Sequence, residues 1–111
     1  MSATWNIKKY PIEQGATWQR TIRVGDTNIT GWLITMCLKD DVGSGTITLN
    51  SGNGGVTITD AANGEFQLLL TDEQTDLITW ISGNHEIFAA LPDGTKRRLL
   101  TGSVKVLPKV C

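Results

Sequence analysis

Apolar residues recur at every second position along this chain, in runs too short for ordinary helices. From Trp18 to Val24, residues Trp18, Ile22 and Val24 share one face while Gln19, Thr21 and Arg23 share the other, the period of a half-buried strand. Arg20 interrupts the apolar face and is expected near its rim. Between Gly31 and Lys39, Trp32, Ile34, Met36 and Leu38 alternate with Leu33, Thr35, Cys37 and Lys39. One face there is apolar and the other mixed, which predicts a central strand. Ile47 with Leu49, Val56 with Ile58, and Phe66 with Leu68 and Leu70 repeat the pattern. The final hairpin runs from His85 to Leu91, turns at Pro92-Asp93-Gly94, and returns from Thr95 to Leu107. Proline presets φ for the first turn position, and glycine can take the left-handed one.

Gly15, Gly25-Asp26, Gly43-Ser44-Gly45, Asn50 to Gly55, Asn63-Gly64 and Gly83-Asn84 mark the other breaks, all with turn-forming chemistry. Asn63-Gly64 suits a tight hairpin, because both residue types tolerate positive φ. Evenly spaced short strands predict an all-β sandwich or barrel of about seven to eight strands. One segment departs from the period-two pattern. Thr71 stands three residues before Gln74, the spacing of a capping box, and Asp72 and Glu73 suit the positive end of a helix dipole. A short helical turn is therefore predicted near residues 71–79, with Leu77 or Ile78 closing one end of the core.

Length and charge narrow the class only a little. The 111 residues fit one domain spanning 1–111, with an extended N-terminal segment 1–10 and a short C-terminal tail 108–111. The 12 glycines exceed the usual share of about 7% and fit a turn-rich chain. Ten basic residues against 11 acidic ones leave a net charge of -1, and no charge run marks a nucleic-acid tail or a polybasic membrane anchor. Lys96-Arg97-Arg98 reads as the exposed start of a strand. Residues 1–10 lack the apolar stretch of a signal peptide, and no run approaches the ~18 apolar residues that span a bilayer. A soluble protein made in a cytoplasm is expected, with Asn28-Ile29-Thr30 a chance glycosylation match. Cys37 and Cys111 are expected as free thiols, Cys37 as a small buried hydrophobe.

Candidate chemistry is thin. His85 is the only histidine, on the opposite strand face from Glu86, and reads as a surface or rim residue. Asp40, Asp41, Asp60, Asp72, Glu73 and Asp76 are scattered over turns and a helix start. Two distant cysteines and one histidine fall short of a metal site, and no Lys-Ser/Thr or helix follows Asn53-Gly54-Gly55 to make a phosphate loop. Neither catalysis nor a cofactor nor a metal is expected. The four tryptophans are more suggestive. Trp18 and Trp32 lie on apolar strand faces and read as core, while Trp80 is placed to cap an end of it. Trp5, Tyr10, Trp80 and Asn53 are the candidate partner-binding residues, since tryptophan is enriched at interface hot spots.

The order of features resembles a family of small proteins from tailed bacteriophages. Glu13-Gln14-Gly15-Ala16-Thr17-Trp18 leads into a strand, and Ile29-Thr30-Gly31-Trp32 opens another. Asn63-Gly64-Glu65-Phe66-Gln67-Leu68 and the Thr71 to Thr75 turn follow, then Pro92-Asp93-Gly94-Thr95 and Leu100-Thr101-Gly102-Ser103-Val104. From about Pro11 to Leu107 this is similar to the immunoglobulin-like N-terminal domain of phage baseplate upper proteins. The resemblance implies an immunoglobulin-like antiparallel β-sandwich without a cofactor, acting as a non-enzymatic adaptor at the tail, baseplate or tail-fibre attachment. Its partners would be other virion proteins, in a symmetric assembly of several copies, with no nucleic acid or membrane involved. Longer relatives continue into a helical or fibre-forming region, whereas this sequence reaches Cys111. Two alternatives stay open: a capsid or neck decoration protein of the same fold, and a carbohydrate-binding module using Trp5 or Trp80 with the loop at 50–55.

Overall fold

A computed structural model describes residues 3–4, 7–25, 27–41 and 45–108, with side chains described from Pro11 onward. In chain order the elements are β1 (Ala3–Thr4), β2 (Ile7–Glu13), β3 (Trp18–Arg23), β4 (Leu33–Asp40) and β5 (Thr46–Asn50). They continue with β6 (Val56–Asp60), β7 (Glu65–Leu70), α1 (Asp72–Asp76), β8 (Ser82–Ala90) and β9 (Lys96–Leu107). Short 3-10 turns at Ser51–Asn53 and Ala61–Asn63 sit on either side of β6. The larger sheet has the order β1-β9-β8-β4-β5, with β2 also on β9, and the smaller one the order β3-β7-β6. The two sheets make an all-β sandwich.

The alternation in the sequence carries through to the packing. Ile34, Met36 and Leu38 of β4 and Ile87 and Ala89 of β8 point inward and meet Trp18, Phe66, Leu68 and Leu70 from the other sheet. Gln19, Thr21 and Arg23 are exposed as expected, and Arg20 is half-buried with its guanidinium 5.3 Å from the Trp18 ring centre. β4 is central, between β8 and β5. Ile78 is buried at one end of the core while Leu77 is exposed, which decides between the two. Ile29 is buried among the core residues from a loop; its N–H donates to Ala61 O at 2.9 Å.

Turn chemistry fixes the register. Asn63 ends the 3-10 turn and Gly64 follows with positive φ (74°), and a Cβ there would lie 2.2 Å from Val24 O. In the last hairpin Gly94 has φ 89°, Leu91 N donates to Thr95 O, and Thr95 N donates to Asp93 Oδ1 at 2.9 Å. That donated bond holds the Asp93 carboxyl below its ordinary value.

Four expectations change. The N-terminal segment is extended, but its described residues are paired strand, and β1 and β2 run parallel to β9 where antiparallel pairing was expected. The register between Ile7 and Ile12 is irregular, and Pro11 lies in that stretch, where the missing N–H breaks no ladder. His85 is buried rather than at the surface, because it shares the inward face of β8 with Ile87 and Ala89. Cys37 is a free thiol but only half-buried, on the outer face of β4; Cys111 lies outside the described residues.

Candidate binding surfaces

Two concavities flank α1, so its anchoring sets their shape. Gln74 N donates to Thr71 Oγ1 at 3.2 Å and Thr71 N donates to Gln74 Oε1 at 2.9 Å, closing the predicted capping box. The helix is five residues long, too short to hold itself without tertiary contacts. The buried Thr75 supplies them: its Oγ1 donates to Ala16 O at 2.8 Å and accepts from Gly15 N at 3.1 Å. Gln14 Nε2 donates to Ile78 O at 3.0 Å. The helix is thereby fastened to the turn between β2 and β3.

On one side of α1 lies an open cleft lined by Glu13, Gln14, Asp72, Glu73, Asp76 and Pro108. Carboxylates that are scattered in the sequence thus come together, because the helix start packs beside the end of β2. Among the described residues no group of three or more His, Cys, Asp or Glu could hold a metal ion. On the other side is a cavity of about 320 Å³ lined by Gly45, Ile47, Leu77, Ile78 and Trp80. Trp80 is half-buried and packs against the core, as expected of an end cap. Its indole lies against the Gly45 backbone, where an added Cβ would come within 2.9 Å of Trp80 Nε1. Around it Leu77 is 79% exposed and Ile81 59% exposed. Neither was singled out as a contact residue, although the run Leu77-Ile78-Thr79-Trp80-Ile81 has more large apolar side chains than one buried face can take.

The other predicted contact residues are elsewhere. Asn53 is exposed, but its amide is engaged within the fold. Its Nδ2 donates to Thr48 O at 2.8 Å, and its Oδ1 accepts from Asn50 N at 3.0 Å and Gly55 N at 2.9 Å. Trp80 lies beside the start of β5 and Asn53 at its finish, so they form no common site. Tyr10 belongs to β2 on the edge of β9; its side chain, like Trp5, lies outside the described residues. Lys96, Arg97 and Arg98 are exposed at the start of β9, as expected. Arg98 pairs with Glu86 at 3.3 Å, and the Arg97 guanidinium stands 5.6 Å from the Trp32 ring centre. Comparison with protein-family models finds no match for this chain, and comparison with curated proteins finds none either.

Proposed function

We propose that the chain is a non-enzymatic structural protein of a tailed-bacteriophage virion, an adaptor at the tail, baseplate or fibre attachment. The reading rests on the order of sequence features, and the immunoglobulin-like sandwich is the fold that order implies. The observation that carries a docking role is the Trp80 cavity, with the exposed Leu77 in its lining and the exposed Ile81 next to Trp80 in the chain, across α1 from a carboxylate-lined cleft. Clustered exposed apolar side chains with a polar border mark protein contact sites, and the carboxylates would orient a partner carrying basic residues there. The protein would be made in the host cytoplasm, incorporated in several copies, and held by other virion proteins.

The carbohydrate-binding alternative is weakened by Asn53, whose amide already bonds Thr48, Asn50 and Gly55 and so offers little to a sugar. Mass spectrometry of purified particles tests the proposal directly. The chain should be present, and cross-linking should join it to tail, baseplate or fibre proteins. Its absence from particles overturns the reading, and cross-links to capsid proteins alone would replace the adaptor by a decoration protein.

A further inference from the structure

The smaller sheet ends at β3, and the sequence of donated bonds shows which backbone groups that edge leaves outward. Val24 N donates to Gly64 O at 2.8 Å, and β3 pairs with β7 in unbroken register from Trp18↔Leu70 to Arg23↔Glu65. Antiparallel pairs alternate between bonded and non-bonded, so Ile22, Arg20 and Trp18 bond to β7. Gln19, Thr21 and Arg23 turn their N–H and C=O groups away from it. In an immunoglobulin-like sandwich the first strand commonly covers this edge. Here β1 and β2 lie on β9 instead.

Among the described residues no strand pairs with this edge of β3, and the edge borders a groove. Ile22, Val24, Leu99 and Leu100 contribute apolar surface to a cavity of about 260 Å³, and Arg23, Arg97 and Arg98 line the same cavity. Arg23 and Arg98 each pair with one carboxylate, Glu65 and Glu86, at 3.3 Å, and with Lys96 alongside the cations remain in excess. The other edges are less inviting. β5 has Thr48 O and Asn50 N covered by Asn53, and β6 has a register irregularity between Ile58 and Asp60.

We propose that β3 accepts an added strand from a partner protein, an extended segment alternating apolar and acidic residues. Strand addition gains affinity from main-chain bonds and specificity from alternate side chains. Gln19, Thr21 and Arg23 supply the bonds, the apolar residues of the segment fall on Ile22, Val24, Leu99 and Leu100, and its carboxylates meet Arg23, Arg97 and Arg98. Arg20 Nη1 donates to the Gln19 carbonyl at 2.7 Å, so the Gln19 oxygen changes partner as the strand docks. A second copy of this chain is the poorer occupant, because β3 against β3 brings Arg20 and Arg23 of both copies together. The surface lies on β3 and β9, away from the Trp80 cavity, and the inference holds whether or not the chain is a virion protein.

The probe is a synthetic peptide of alternating Glu and Val, about eight residues long to match a strand, with alternating Lys and Val as control. Amide exchange by NMR should slow at Gln19, Thr21 and Arg23 by about tenfold with the Glu peptide and not with the Lys peptide. Thr21→Pro removes the central donor and should abolish that protection. Arg23→Glu with Arg97→Glu leaves the backbone intact and should transfer the preference to the Lys peptide. Unchanged exchange at the three amides overturns the proposal, as does equal protection by both peptides. Self-pairing through β3 without peptide overturns the choice of occupant.

Discussion

Single side chains and single missing ones set the geometry of the loops. Asn53 sits in an exposed turn yet bonds three backbone groups at the finish of β5. Replacing it by Ala should lower stability by about 1 kcal/mol, since water can reach the groups released at this exposed site. Urea denaturation would measure the change. Nothing in the string Asn50 to Gly55 distinguished such an internal plug from a binding loop, because Asn serves both and only the turn geometry chooses. Gly64 and Gly94 make a second test. Both have positive φ, but a Cβ at Gly64 would meet Val24 O at 2.2 Å and Thr27 O at 2.7 Å, whereas Gly94 has nothing within 4 Å. Gly94→Ala should cost roughly 1–2 kcal/mol from φ alone. Gly64→Ala must also displace the backbone that Ile29 and β3 rely on, and its loss of melting temperature should be clearly the larger.

Among the elements, α1 was the most legible and also depends most on its neighbours. The capping box could be read from Thr71 and Gln74, but the buried hydroxyl of Thr75 could not, since its partners Gly15 and Ala16 lie about sixty positions away. Thr75→Val keeps the shape and removes the bonds that tie the part-buried Gly15 N and Ala16 O to α1. It should destabilise by about 1–3 kcal/mol, more than the roughly 1 kcal/mol expected for Thr71→Ala at the exposed cap. Chemical denaturation of the two variants side by side checks the order. The strands from β3 to β9 were legible for a plainer reason: each buries one face, so period two is written into the side chains. β1 and β2 have no such run. Lys8 and Lys9 break the alternation and Pro11 reads in the sequence as a strand breaker, so a parallel pairing with β9 left almost no local signal. His85 misled for the opposite reason, as its inward position follows from the phase of Ile87 and Ala89 rather than from its own polarity.

At the scale of the whole molecule the sandwich is a rod of 45 × 24 × 24 Å, and its two ends differ in chemistry. The end carrying α1 has the carboxylate cleft and the Leu77, Trp80 and Ile81 group, while Arg23, Arg97 and Arg98 line the groove toward the Pro92-Asp93-Gly94 turn. Trp80 was recognisable as an end cap, yet the residues that make its surroundings apolar were not, because exposure after a helix end is decided by which way the chain leaves it. If Leu77 and Ile81 serve docking and not folding, the two functions can be separated. Leu77→Asp with Ile81→Asp places charges at positions 79% and 59% exposed, where substitutions usually shift stability by no more than about 0.5 kcal/mol each. The double variant should melt within a few degrees of the parent and yet be lost from assembled particles in a complementation assay. Trp80→Ala is the control, since its ring packs against the core and lies over Gly45. It should lower melting temperature and incorporation together. A double variant that assembles at the parent's level would move the contact away from this end of the rod, because a carboxylate placed in an apolar contact at either position loses its hydration without gaining a partner.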